Sequence, residues 1–232
     1  MWRLARNVLL AVLLCAVALP GIAKPPPPAV WKGAIDAFLA QDRQHPPPQH
    51  GVLFIGSSSI RFWTTLKRDF PGVPVVRRGF GGSAIADATH YAGRIVVPYH
   101  PRLIVMYAGD NDIAEGLTPA TVIAHFKAFV ARVHRDLPRT AVAFISIKPS
   151  LARFSMWPAM RKANLGIRDW AATRPDVRYI DIATPMLGAD GRPRPDLFRR
   201  DGLHMVRKGY LVWIHAVRPV LADFGFRVHA AH

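Results

Sequence analysis

Cysteine is almost missing from this chain: among its 232 residues there is only Cys15. A disulfide framework is therefore excluded. Acidic residues are scarce as well, 15 Asp and Glu against 31 Lys and Arg, which gives a formal charge of +16. Such an excess suits contact with anionic surfaces such as lipid headgroups or acidic polysaccharide. Nucleic acid is not expected, because no recognisable binding motif accompanies the charge. Long apolar runs are the third absence. Val8–Leu19 has 12 residues, short of the roughly 20 that a membrane-spanning helix needs. No repeat occurs, and no low-complexity segment beyond the proline clusters Pro25–Pro28 and Pro46–Pro48.

The apolar run follows Arg3 and Arg6 and precedes Pro20-Gly21-Ile22-Ala23. A positive start, an apolar middle and small residues at the end have the form of a secretory signal cut after Ala23. Cys15 lies inside it, and Val12-Leu13-Leu14 ahead of that cysteine lack small residues, so lipidation is not expected. Residues 1–23 thus predict export to the periplasm or beyond the cell, with no stable membrane span after cleavage. Residues 24–50 read as a proline-rich spacer and a first helix, and 51–226 as the working domain. Cleavage would take the formal charge from +16 to +14 and leave 209 residues, enough for one ordinary core.

Strands and helices alternate along that domain. A helical stripe at Trp31, Ala34, Ile35, Phe38 and Leu39 comes first. Strands are expected at Val52–Ile55, Val73–Val76, Leu103–Tyr107, Val142–Ile147 and Val177–Ile180, with helices at Ile60–Phe70, Ala84–Ala92, Pro119–Asp136, Met160–Thr173 and Val206–Asp223. Val- and Ile-rich strands alternating with helices imply a parallel sheet covered on both faces. Ligands in such folds bind beyond the carboxyl ends of the strands. The segments leaving those ends are Gly56–Ser59, Gly79–Ser83, Gly109–Asp112 and, after the fifth strand, Asp201–His204.

Each segment has a plain structural reading beside a chemical one. Ser57-Ser58-Ser59 can cap a helix, or present a hydroxyl at the sheet edge near a helix N-terminus. Gly79-Phe80-Gly81-Gly82-Ser83-Ala84 loosely fits a dinucleotide fingerprint, but the first acid beyond Asp87 is Asp110, later than that site needs, so no cofactor is expected. A glycine there lets a backbone amide approach a reacting oxygen. Asn111 can cap a turn or donate to a developing oxyanion. Asp-x-x-His occurs three times, at Asp42/His45, Asp87/His90 and Asp201/His204. The first two read as surface pairs on helices, whereas the third sits in a glycine-containing loop before the last helix. No His, Cys or carboxylate cluster has metal-ligand spacing, so no metal is expected.

In order and separation these four segments, with Gly209-Tyr210 after the last, resemble the sequence blocks of the SGNH (GDSL-type) hydrolases, over about Val52 to Leu221. The resemblance implies a three-layer α/β/α sandwich with a five-stranded parallel, flavodoxin-like sheet. It further implies a nucleophile at Ser58, an oxyanion hole from Ser58, Gly82 and Asn111, a general base at His204 and its orienting acid at Asp201. The chain departs from the family at Ser57, where aspartate is usual, and at Ser59, where leucine is usual, so either is an alternative nucleophile. The retained spacing from Gly56 favours Ser58.

The expected activity is hydrolysis of a small-molecule, lipid or glycan ester. Two alternatives use the same fold: a non-catalytic protein that binds an anionic wall or lipid surface, and an acyltransferase or deacetylase acting on a glycan. Arg192, Arg194, Arg199 and Arg200 crowd the approach to Asp201; several are expected to rim the site entrance, beside the plain reading of a solvated basic loop.

Overall fold

Five apolar runs become five parallel strands in the computed structural model, which describes residues 28–227. The export segment read at 1–23 lies outside the described residues. In chain order the elements are α1 (Lys32–Gln44), β1 (Val52–Gly56), α2 (Ser58–Arg61), α3 (Leu66–Asp69), β2 (Val75–Gly79), α4 (Ile85–Ile95), β3 (Leu103–Tyr107), α5 (Asp110–Ala114), α6 (Pro119–Asp136), β4 (Ala141–Ile145), α7 (Trp157–Ala171), β5 (Val177–Ile180) and α8 (Arg207–Asp223). The sheet order is β2-β1-β3-β4-β5, the doubly wound flavodoxin-like order. β1 lies between β2 and β3 and starts in register with both, Val52 opposite Val75 and Leu103.

The pleat divides the core in two. Leu53, Ile55, Ile104 and Met106 pack under α1, α4, α6 and α7. Val52, Phe54, Leu103, Val105 and Tyr107 face the other way, against Ile60, Trp63, Leu66 and the Trp213–Leu221 face of α8. Successive side chains of a strand point to opposite faces, so a strand buried on both reads as a continuous apolar run. The fold is therefore a three-layer α/β/α sandwich around a five-stranded parallel sheet.

Two expected elements shift for physical reasons. The second strand starts at Val75 rather than Val73 and runs through Arg77-Arg78 to Gly79. It is an edge strand, and Arg78 is buried there because Asp42 and the Tyr99 hydroxyl receive its guanidinium. The helix expected over Ile60–Phe70 is two single turns, α2 and α3. Between them the Asp69 carboxylate accepts from Trp63 Nε1 at 2.7 Å and Thr65 Oγ1 at 2.6 Å, bonds that favour a turn over continued helix.

Neither of the first two Asp-x-x-His pairs is the surface pair that its place on a helix suggested. Asp42 holds Arg78 and Tyr99. Asp87 is buried at the start of α4, where its carboxylate accepts from the Ala84 N–H at 2.8 Å. Burial, helped by the Asp112 charge and opposed by that N–H, pushes Asp87 from 3.8 up to about 6. Between those values the unfolded chain gives up the proton while the folded protein keeps it, so stability falls as pH rises through the window. Asp87→Asn is expected to flatten the fall in Tm between about pH 4 and about pH 6. Thermal melts across that range check this, and an unchanged slope would contradict it.

Candidate active site

The site begins where β1 ends. Gly56 has φ +144°, and a Cβ there would lie 1.8 Å from the Tyr107 carbonyl oxygen, so only glycine lets β1 turn this close to β3. Ser57 follows in extended conformation with its N–H on the same Tyr107 oxygen at 3.1 Å, and Ser58 opens α2. The three serines then part company. Ser57 is fully buried, and its hydroxyl has no hydrogen-bond partner among the described residues. Ser59 is buried, 3.4 Å from Lys148 Nζ. Ser58 alone is half-buried and faces a cleft.

His204 reaches that hydroxyl from the far side of the sequence, with Nε2 2.9 Å from Ser58 Oγ. Its Nδ1 lies 2.7 Å from Asp201 Oδ2. Asp201 Oδ1 also accepts the N–H groups of Leu203 and His204, both at 2.9 Å. Burial would raise the Asp201 carboxyl, but these hydrogen bonds outweigh it and bring the pKa down to about 2. An ionised Asp201 accepts Nδ1–H, which leaves the Nε2 lone pair free for the Ser58 proton. The loop is fixed from two directions: Ala152 N–H donates to Gly202 O at 3.0 Å, and Phe62 meets the imidazole edge-on at 4.9 Å. Tyr210 OH donates to Ser59 O at 2.9 Å and ties α8 to α2. Gly209 lets α8 approach that loop, since a Cβ there would lie 2.7 Å from Leu197 O.

Gly82 and Asn111 line the same cleft of about 320 Å³ as Ser58 and His204. Gly82 has φ +80° and open space where a side chain would stand. Its N–H and that of Ser58 have no acceptor among the described residues. Asn111 Nδ2 gives one hydrogen to Ser83 O at 3.0 Å, and its Oδ1 accepts from Arg153 Nη1 at 3.0 Å. These bonds orient the amide and leave its second hydrogen free, so three donors are available to an oxygen bound beside Ser58. Asn111→Ala is expected to lower kcat by ~10²–10³-fold with little change in KM, the scale of one oxyanion donor. A change confined to KM in steady-state kinetics would contradict that role.

Behind the cleft lies a charged cluster the sequence reading did not anticipate. Lys148 is fully buried, with Nζ 2.9 Å from Tyr107 OH and 3.0 Å from Asp110 Oδ2. Arg153 Nη1 lies 3.4 Å from the same Asp110 oxygen. Burial opposes the Asp110 charge, yet Lys148 and Arg153 hold its carboxyl below the ordinary range. Lys148 itself is pulled down by burial, against the attraction of Asp110. Removing one partner of such a pair leaves an uncompensated buried charge, so the cluster is a rigid support for Asn111 and Arg153. A lysine immediately after a buried strand was the one available signal.

The entrance also differs from expectation. Arg61 and Arg153 line the cleft, whereas Arg192, Arg194 and Arg200 do not. Arg194 is drawn towards Asp196, 3.5 Å away, and Arg192 stacks on Phe154 at 5.4 Å. Arg199 is exposed outside the cleft lining, over the Phe62 ring at 4.8 Å. The segment before the first strand also touches the site, as Trp31 Nε1 donates to Gly81 O at 2.8 Å. A larger cleft of about 420 Å³, at the amino ends of the strands around His50, His100 and Arg102, contains no serine.

The profile of the GDSL-like lipase/acylhydrolase family matches residues 55–212. The chain belongs to that family, whose activity is ester hydrolysis. The fold is shared with a GDSL-like lipase from Bacteroides thetaiotaomicron, at TM-score 0.71 and 18% identity, covering 82% of this chain and 97% of the other. It is shared as well with an acetylxylan esterase from Geobacillus stearothermophilus, at TM-score 0.62 and 14% identity, covering 79% and 98%. A comparison with curated proteins found no match.

Proposed function

We propose that this chain is an exported serine esterase that cleaves carboxylic esters through an acyl-enzyme on Ser58. The observation that carries the proposal is the continuous hydrogen-bonded line from Ser58 Oγ through His204 to Asp201, at 2.9 and 2.7 Å. His204 Nε2 takes the Ser58 proton as Oγ adds to the acyl carbon. The oxyanion that forms is received by the Ser58 and Gly82 N–H groups and the free hydrogen of Asn111 Nδ2. Collapse of the tetrahedral adduct expels the alcohol, which takes its proton from His204. Water, deprotonated by the same imidazole, then releases the acid and restores Ser58. Asp201 orients the ring and stays ionised throughout.

Export is supported by the Arg3, Arg6, Val8–Leu19 and Ala23 pattern. No helix among the described residues is long and apolar enough to cross a membrane. The test is turnover of 4-nitrophenyl acetate and longer-chain homologues by purified protein. Release of nitrophenol with multiple turnovers supports the proposal, and absence of turnover with every ester would leave a binding protein on this fold.

A further inference from the structure

The cleft and its exposed rim carry more positive charge than the chemistry uses. Asp110 is taken up by Lys148 and Arg153, and Asp201 by His204. Arg61 and Arg199 remain. Their guanidinium carbons stand 4.5 and 4.8 Å from the centroid of the Phe62 ring. Neither forms an ion pair with any carboxylate among the described residues. Arg61 lines the cleft with its guanidinium against Gly81, and Arg199 is tethered by its Nε to Met205 O at 3.2 Å. A ring under each guanidinium fixes its plane while leaving N–H edges free, the presentation suited to bidentate contact with a carboxylate or phosphate.

Position decides which part of an ester would meet these arginines. His204 must protonate the departing alcohol, so the alcohol lies on the His204 side of Ser58. Phe62 touches His204 on that side at 4.9 Å. We infer that Arg61 and Arg199, presented on Phe62, form an anion subsite, and that the preferred substrates are esters whose alcohol part carries a carboxylate or phosphate. The inference rests on the esterase reading above and specifies its substrate class.

Two pairs of acetyl esters test it. The first is 4-acetoxybenzoate against its methyl ester. The second is acetylglycerol phosphate against acetylglycerol. For each pair the ratio of kcat/KM, anionic over neutral, is compared between the wild type and the Arg61→Gln, Arg61→Lys and Arg199→Gln proteins, with folding checked by thermal melts. Taking the ratio within one protein cancels any general loss of activity. Arg61→Gln is expected to lower it roughly 10-fold, the scale of one charge-assisted hydrogen bond. Arg61→Lys should lose part of that, because the charge survives and the fork does not. The wild-type ratio should also shrink as salt rises from about 0.1 M to about 1 M, where screening tightens from ~10 Å to ~3 Å. A fall in the phosphate pair alone, the carboxylate pair alone or both supports the subsite and names its anion. Ratios unmoved by Arg61→Gln and Arg199→Gln in both pairs would overturn the inference while leaving the esterase intact. Failure of the wild type to hydrolyse even the neutral esters would remove the esterase reading first, and the subsite with it.

Discussion

Replacing Ser58 with alanine is expected to lower ester turnover ~10³-fold or more while leaving the fold intact, as removal of a triad nucleophile does. The change deletes one oxygen from a half-buried side chain whose only hydrogen bond among the described residues is to His204, so the melting temperature should hardly move. Ser57→Ala and Ser59→Ala make the comparison decisive. Both hydroxyls are buried away from the cleft, Ser57 without a partner among the described residues and Ser59 against Lys148. Those proteins should keep most of their activity. A dead Ser57→Ala protein with native stability would shift the nucleophile by one residue and dissolve the line from His204 to Asp201.

His204→Ala should cost as much as Ser58→Ala, ~10³-fold or more, because nucleophile and base act as one unit. The double variant should then be little worse than either single one. His45→Ala and His90→Ala serve as controls on the two other Asp-x-x-His pairs. His45 is an exposed residue at the end of α1, and His90 packs against Tyr91, outside the cleft lining. Steady-state kinetics on the five variants separates these outcomes. Full additivity in the double variant, or an inactive but stable His90→Ala protein, would contradict the assignment.

The fold was legible because burial on both faces leaves so little freedom to a parallel strand. Phe54 and Ile55 point to opposite sides of the sheet, yet both must be apolar. Ser58, Gly82, Asn111, Asp201 and His204 were legible as candidates for a related reason. Each is a small or polar residue leaving a strand or preceding a helix, where apolar packing does not require it. The structure brings all but Asp201 to the wall of one cleft, with Asp201 directly behind His204.

What escaped the sequence was long-reach chemistry. Arg61 and Arg153 are separated by most of the sheet in sequence, and nothing in local periodicity says that their side chains meet at one entrance. The four arginines near Asp201 looked better placed on proximity alone, but neighbours in sequence on a loop point in different directions. Lys148 was hidden by the same logic. A lysine after a strand reads as solvated until Asp110 and Tyr107, from another strand end, are seen to enclose it. The broken helix at Phe62–Thr65 escaped because Ile60, Trp63, Leu66 and Phe70 keep helical spacing even though two short turns deliver them.

The central claim is that Ser58 is the nucleophile activated by His204. Labelling with a small organophosphonate, followed by peptide mass spectrometry, tests it most directly. One label per chain on the peptide at Ser58, formed in step with loss of esterase activity and abolished or strongly slowed in His204→Ala, is the predicted result. Label on Ser57 or Ser59, or loss of activity with Ser58 unmodified, would contradict the account.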